Sequence, residues 1–385
     1  MASLDLSDLI FILRLTGFYY DFSGFKAERV LVALQIFRIF FFICSAIATV
    51  CSMIYGAVLS EVSSVEVFFA FISTVMTLKL IFMYTMRFET ERVIRMIVDI
   101  REKFQSGTDD EFQQNTKVPW KLVHIYAFAY TMFNIFYVFL PTVIDLIVWA
   151  IYKTPYPIRL PMAMDSFIQQ RHARDWKYFL VTITTITWTC VGTYSHMGMD
   201  ILLNIICAYY ASLVKTYCNH LKLDSNAPPE KIIAAIKQHA AHHQALHNLS
   251  LKMIKLFGYP YAVQNVVGSM CVCSLLYALT SRTSTSSVLF FALIFTMLLL
   301  LANLVCAAYA GQYATNQTAL IFDSLYDLPW YELRPEERKY FITMICAARE
   351  PFTIHYHGRS PLDLSNFMSI LNTAYSYFMF IKSAM

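Results

Sequence analysis

Seven long apolar blocks divide this chain of 385 residues, and they restrict its fold more than any other feature. A helix needs about 20 apolar residues to cross the hydrocarbon of a bilayer. Because only helices and closed barrels satisfy their backbone hydrogen bonds in lipid, blocks of this length predict transmembrane helices. The predicted spans are residues 33–59, 65–86, 122–151, 178–214, 261–281, 287–309 and 364–381.

The composition supports an all-α membrane protein that crosses a lipid bilayer seven times. Hydrophobic residues make up 57% of the chain and charged residues 15%, whereas soluble domains carry about 25% charged residues. The net charge of +4 is too mild to predict a nucleic-acid partner. The nine cysteines fall in predicted spans or predicted cytoplasmic segments, so we expect no extracellular disulfide framework.

The distribution of Lys and Arg predicts the direction of the spans. These residues are about threefold more numerous on the side that holds the N-terminus than on the other side. Basic loops stay in the cytoplasm, which predicts a cytoplasmic N-terminus and an extracellular C-terminus. Two polar segments, residues 88–104 and 228–257, carry apolar residues at helical spacing, and we expect them to extend the spans into the cytoplasm.

The last apolar block carries a stripe of polar side chains. Asn366, Ser369, Thr373 and Ser376 recur at steps of three and four, with Phe380 one turn further. Such spacing places them on one helix face, and it costs free energy to expose polar groups to lipid. The stripe fits two interpretations equally well, namely hydrogen bonds between helices or a pore-lining face with Phe380 as an apolar constriction.

Enzyme chemistry is not indicated, and we expect neither a cofactor nor a metal. The phosphate-binding, nucleophile-elbow and zinc-protease motifs are missing. His239, His243 and His247 share one helix face, but a packed or solvated helix explains them better than a metal site. Within the spans, Asp200 follows His196 by one turn, which predicts a polar contact between helices.

The C-terminal sequence resembles that of insect odorant receptors. The residues that carry the resemblance are Ser324-x-Tyr326, Trp330-Tyr331, Arg349-x-Pro351-Phe352, Gly358, Leu364-x-x-Phe367 and Ala374-Tyr375-Ser376-Tyr377-Phe378. The length, the seven spans and the inverted orientation extend the similarity over the whole chain.

The resemblance implies an odorant-gated, non-selective cation channel with four subunits around one central pore. Each last span lines the pore, and Phe380 falls at the gate position, where the family usually has a smaller aliphatic residue. The chain looks like an odorant-specific subunit that assembles with a shared coreceptor in the plasma membrane of a sensory dendrite. Its expected parts are residues 1–311 with spans 1–6, a cytoplasmic anchor at 312–360 and the pore span at 361–385.

The resemblance also implies a pocket for a small volatile odorant in the outer half of the bundle. Such a ligand is mostly apolar, so its site needs aromatic and aliphatic side chains with few polar groups. The candidate pocket residues are Phe68, Phe71, Asn134, Tyr137, Thr182, Thr185, Trp188, Tyr277, Phe290 and Phe291.

Two other seven-span functions compete with the channel. A G-protein-linked chemoreceptor has its N-terminus outside, which disagrees with the charge distribution. A secondary transporter usually shows paired repeats with helices broken by Gly or Pro at midplane. No such repeat is visible, and the chain holds only 10 glycines, which favours the channel.

Overall fold

The computed structural model describes residues 36–44, 47, 51, 64–105, 107–133, 135, 147, 151, 176–224, 227–280 and 287–384. In these ranges the regular structure is helical. After a helical segment at 36–44, the order is α1 (Ser64–Thr85), α2 (Arg87–Phe104), α3 (Asp109–Phe133), α4 (Trp176–Asn219), α5 (Pro229–Thr280), α6 (Ser287–Tyr326), the 3-10 turn Trp330–Glu332, α7 (Pro335–Ala348) and α8 (Leu364–Ala384).

The first described span ends where the sequence becomes polar. Helix α1 stops at Thr85, and α2 starts two residues later after a bend of 65°. Along α2, Val93, Ile94, Ile97 and Ile100 are buried at steps of one, three and three. That spacing gives α2 one apolar face, which packs on α5. The prediction of an amphipathic helix over 88–104 is therefore confirmed.

Helices α5 and α6 are longer than a bilayer is thick. The segments 228–257 and 261–281, predicted as a stalk and a span, form one helix of 52 residues. Helix α6 has 40 residues and continues from the predicted span 287–309 to Tyr326. The predicted division between residues 311 and 312 therefore lies inside α6. After the 3-10 turn, α7 begins with Pro335 in its first turn.

Helix α4 is the central element of the bundle. Between Met197 and Val214 it is buried on all its faces, as expected for a helix that is apolar all round. It packs on α6, α3 and α1. A large apolar core surrounds this helix and includes buried residues of the other helices from α1 to α7. Ile201 and Leu203 of α4, Phe257 of α5 and Phe341 of α7 belong to it.

Three described segments are long and apolar enough to cross a bilayer, namely Cys190–Asn219, Pro229–Thr280 and Leu293–Glu332. The bent pair α1 and α2 makes a fourth when it is counted as one span. The predicted span at 33–59 and most of that at 122–151 lie outside the described residues. Helix α3 starts at Asp109, so it enters the third predicted span from a polar segment on the predicted inner side.

Candidate functional site

Helix α8 has one buried face and one exposed face. Ile370, Ala374 and Phe378 are buried, one turn apart, against α5 and α6. Ser369, Thr373 and Ser376 are exposed, Asn366 is half-buried, and Phe380 is 73% exposed. The predicted polar stripe thus lies on the side of α8 that points away from the rest of this chain.

Two hydroxyls of this stripe are bonded within the helix. Thr373 Oγ1 donates to the carbonyl of Ser369 at 2.8 Å, and Ser376 Oγ donates to the carbonyl of Asn372 at 2.9 Å. Each hydroxyl oxygen still has lone pairs that accept hydrogen bonds or face a cation. Because their donors are used locally, these side chains present a weakly polar, uncharged surface.

A second apolar cluster connects the candidate pocket to α8. Phe68 on α1 is 4% exposed and belongs to one cluster with Leu275 on α5, Met297 on α6, and Ile370 and Ala374 on α8. Phe71 packs against the same cluster. Tyr277 is half-buried on the neighbouring turn of α5. Two predicted pocket residues therefore share their packing with the predicted pore helix.

Of the other predicted pocket residues, only Phe290 and Phe291 have described side chains. Phe290 and Phe291 form an edge-to-face pair near the start of α6, and they are 42% and 68% exposed. Thr182, Thr185 and Trp188 lie on α4, one turn or less apart, but their side chains are outside the described part. Asn134 and Tyr137 are also outside the described residues. Their roles stay predictions.

A buried carboxylate joins five helices at the predicted inner end of the spans. Asp200 on α4 forms an ion pair of 2.7 Å with Lys79 on α1, and both side chains are at most 3% exposed. Tyr261 on α5 donates to Asp200 Oδ1 at 2.7 Å. Tyr126 on α3 and Asn303 on α6 donate to Oδ2 at 3.1 and 2.6 Å. The predicted polar contact between helices is confirmed.

The sequence prediction missed most partners of Asp200. His196, the expected neighbour, lies 3.6 Å from Oδ2, whereas Lys79 is the direct counter-ion. The signal for Lys79 was its position within a predicted span, because a buried cation needs an anion. The chain separation of 121 residues left that anion unidentified. Tyr261 and Asn303 carried no signal beyond their polarity.

The histidines of α5 lie in its stalk, outside the apolar part of the helix. His242 is 7% exposed, stacks on Phe104 with ring centroids 4.6 Å apart, and meets the edge of Tyr217. Burial lowers the pKa of His242 to about 4, and the charges of His239 and His243 contribute. A neutral, packed imidazole is therefore the resting form. The packed-helix interpretation fits this geometry.

The sequence matches the 7tm odorant receptor family over residues 62–375. This range holds α1 to α7 and more than half of α8. The chain belongs to the odorant receptor family. The predicted membership of this family is confirmed, and a family of seven-transmembrane receptors agrees with the seven predicted spans. This odorant receptor is accordingly a multi-pass membrane protein of a receptor family.

Two solved structures share the fold of this receptor. One is the insect olfactory receptor OR5 from Machilis hrabei in complex with eugenol, with a TM-score of 0.77 and 11% identity, over 99% of this chain and 98% of that chain. The other is a second structure of OR5 from Machilis hrabei, with a TM-score of 0.71 and 12% identity, over 98% of this chain and 97% of that chain. The predicted all-α membrane fold is confirmed.

Proposed function

We propose that this receptor is the odorant-specific subunit of a ligand-gated, non-selective cation channel. A small, mostly apolar volatile binds among the outer parts of the spans, and the exposed face of α8 lines a central pore. One observation carries the proposal. Phe68 of the candidate pocket and Ile370 and Ala374 of the candidate pore helix pack in one apolar cluster. A ligand that displaces α1 or α5 therefore acts on α8 through direct contact.

The proposed pocket is centred on Phe68, Phe71 and Tyr277. The remaining predicted members are Asn134, Tyr137, Thr182, Thr185, Trp188, Phe290 and Phe291. Aromatic side chains match the apolar surface of a volatile ligand, and a few hydroxyls orient one polar group. The eugenol complex of OR5, whose fold this chain shares, supports a volatile of similar size.

The proposed pore is lined by Asn366, Ser369, Thr373 and Ser376, with Phe380 as the constriction. Hydroxyl and amide groups weakly replace the water around a passing cation, whereas an apolar ring excludes water when the pore narrows. Phe380 is large enough for this role, and its 73% exposure makes it available to other subunits. The N-terminus lies in the cytoplasm in this arrangement, as the Lys and Arg distribution favours.

The proposed partner is an odorant-receptor coreceptor in a heterotetramer at the plasma membrane of sensory dendrites. The cytoplasmic anchor, residues 312–360, supplies the contacts between subunits. Its exposed aromatic residues support this role, because Tyr326, Tyr331 and Tyr340 are 57%, 62% and 65% exposed. Exposed aromatic side chains in such number are typical of a protein interface.

Expression in cells with and without a coreceptor tests this function. The measurement is membrane current under a panel of volatile alcohols, esters and phenols, with G-protein signalling blocked. We expect a current that persists under the block, requires the coreceptor and reverses near 0 mV. A current that disappears when G-protein signalling is blocked indicates a metabotropic receptor. Substrate uptake without current indicates a transporter.

A further inference from the structure

The loop between α7 and α8 forms a small closed unit directly before the pore helix. Leu362 N donates to the carbonyl of Ile354 at 2.8 Å, and Tyr356 and Arg359 exchange two backbone hydrogen bonds inside that closure. Ile354 and Leu362 are 1% and 3% exposed. The loop thus has two buried ends and an internal bridge, so it behaves as one piece.

Two glycines bring the backbone of this loop into contact with the long helices. A Cβ at Gly258 on α5 would overlap the carbonyl oxygen of His355, and a Cβ at Gly311 on α6 would overlap that of Leu362. These approaches are possible only without a side chain. The loop is therefore packed on α5 and α6 at backbone distance.

Side chains add two contacts on the α5 side. The rings of Tyr356 and Tyr259 meet edge to face at 5.3 Å. Ser360 Oγ accepts from Asn265 Nδ2 at 3.2 Å and from Asn366 Nδ2 at 3.5 Å. Asn265 is on α5 and Asn366 is in the first turn of α8. One hydroxyl thus bridges the two helices, and it has the two lone pairs that this requires.

The backbone of the loop is held in an uncommon conformation. His357, Gly358 and Ser360 have φ values of 48°, 71° and 51°. Left-handed non-glycine residues persist only where surrounding contacts hold them. At Ser360 these contacts are the two amides. At His357 the side chain is exposed at the loop tip.

Helix α5 contains a proline where the loop is attached. Pro260 lies inside the helix, directly after Gly258 and Tyr259. Proline removes one helical hydrogen bond and makes a helix bend more easily. Tyr261, the next residue, donates a hydrogen bond to Asp200. Pro260 thus lies between residues that contact the loop and a residue that contacts the buried carboxylate.

We propose that residues 354–362 form a coupling clamp, which transfers displacement of α5 at Pro260 to the first turn of α8, with Ser360 as the positioning residue. This inference rests on the proposed function, in which α8 lines the pore. Asp363 fixes the other end of the connection, because its Oδ1 accepts from Asn366 N at 2.7 Å and caps α8. Movement of the clamp therefore reaches α8 without a flexible link.

A pair of glycine substitutions distinguishes the effect of losing the bridging hydroxyl from the effect of relieving backbone strain. Ser360→Gly keeps the left-handed backbone and removes the bridging hydroxyl, while His357→Gly makes the same change at the exposed tip. With the coreceptor present, odorant-evoked currents give the half-maximal concentrations for the two most effective compounds of the volatile panel. We expect about a fivefold increase for Ser360→Gly, because the two long hydrogen bonds that it removes are together worth about as much as one ordinary hydrogen bond, and less than twofold for His357→Gly.

Coupling through Ser360 predicts a pattern of half-maximal concentrations that a general structural defect does not. Ser360→Gly should raise the half-maximal concentration by the same factor for both compounds, because Ser360 acts on α8 rather than on the ligand. Adding Asn265→Ala to Ser360→Gly should change nothing further, because the hydrogen bond of Asn265 to Ser360 is already absent in Ser360→Gly. Unequal shifts for the two compounds, or equal behaviour of Ser360→Gly and His357→Gly, would overturn the clamp.

Hydrogen exchange tests the clamp independently of current. In the purified full chain in lipid nanodiscs, Ser360→Gly should increase exchange over residues 354–367, whereas His357→Gly should affect only the tip. Unchanged exchange in Ser360→Gly overturns the clamp even when the unmodified chain conducts. A missing odorant current from the unmodified chain at the cell surface contradicts the proposed function instead, while the exchange comparison still tests the clamp.

Discussion

Asp200 shows how much of this fold depends on single residues. Its carboxylate accepts hydrogen bonds from side chains on four other helices, and one of these donors is the charged Lys79. Asp200 itself is 1% exposed. The ion pair with Lys79 is costly to bury, but a lone buried charge is far more costly. The pair therefore specifies which helices meet, more than it adds to stability.

The Asp200 contact predicts a rescue between two substitutions. Asp200→Ala should lower the free energy of unfolding by about 3–5 kcal/mol, because it leaves the Lys79 ammonium buried without an anion. The double variant Lys79→Met with Asp200→Leu should recover much of this loss. The stability of Asp200→Ala and of the double variant is measured by surface labelling and by thermal unfolding of the purified protein. Asp99→Ala, which removes an exposed carboxylate on α2, is the control.

Failure of the rescue would have a clear meaning. If the double variant is no more stable than Asp200→Ala, the hydrogen bonds from Tyr261, Tyr126 and Asn303 outweigh the ion pair. Asp200→Asn with Lys79→Met then becomes the better rescue, because an amide keeps acceptors for these donors.

The two contact glycines predict a second residue-scale effect. Gly311→Ala and Gly258→Ala place a methyl group against a carbonyl oxygen and should each destabilise the protein by about 1–3 kcal/mol or more. Gly268→Ala is the matched control, because its Cβ would meet only the end of the Leu304 side chain at 3.2 Å. Thermal unfolding midpoints rank the three variants. Equal midpoints would mean that the loop shifts freely.

At the scale of elements, the contact between α2 and the stalk of α5 depends on neutral histidine. His242 lies between Phe104 and Tyr217, and Gln105 Nε2 lies 3.4 Å from its Nε2. The low pKa, about 4, means that the unfolded chain binds a proton more readily than the folded chain does. Stability is thus complete above pH 6.5, the ordinary pKa of histidine, and falls as the pH drops toward 4.

Mild acid should therefore loosen the stalk. Between pH 7.5 and pH 5 we expect His242 to cost roughly 2 kcal/mol of unfolding free energy. His242→Phe keeps an aromatic ring in the stack and should remove most of this dependence. Thermal unfolding at the two pH values measures the pH dependence of stability. His220→Gln is the control, since His220 is an exposed partner of Glu111. An unchanged pH dependence in His242→Phe would assign it to His239 and His243.

How well the elements follow from sequence depends on the range of the interactions. The end of α1 and the start of α2 were predicted within about two residues, because polarity changes sharply at Arg87. The continuous helix α5 was predicted as two segments, 228–257 and 261–281, whereas the structure carries one helix through Pro260. Local pattern decides the first case and tertiary packing the second.

The candidate site was predictable only in part, for the same reason. The stripe of α8 follows from helical spacing alone, and the structure places it on the exposed face. The pairing of Lys79 with Asp200 and the docking of the loop 354–362 on α5 join distant parts of the chain. Nothing local marks Gly258 or Ser360 as contact residues. Such partners are set by the fold.

At the scale of the whole molecule, the proposed arrangement of four pore helices around one axis predicts how charge affects conduction. Ser376→Lys adds an ammonium to the stripe and should reduce cation current at least about fivefold, through repulsion of about 1 kcal/mol or more per charge. Tyr375→Lys adds the same charge about 100° around the helix and is the matched control. Whole-cell current per labelled surface channel is the measurement. Equal currents from both variants would place the pore elsewhere.

The Lys79–Asp200 pair also constrains how the chain is made. Each charge alone costs about 2.5–3.5 kcal/mol when a helix enters the membrane. Lys79 is synthesised 121 residues before Asp200, which is on the order of ten seconds at ordinary rates of translation. During that interval α1 carries an unmatched cation. The ribosome thus sets the order of assembly, and a nascent chain stalled before residue 200 should hold α1 less firmly in the bilayer than one stalled after α4 has entered.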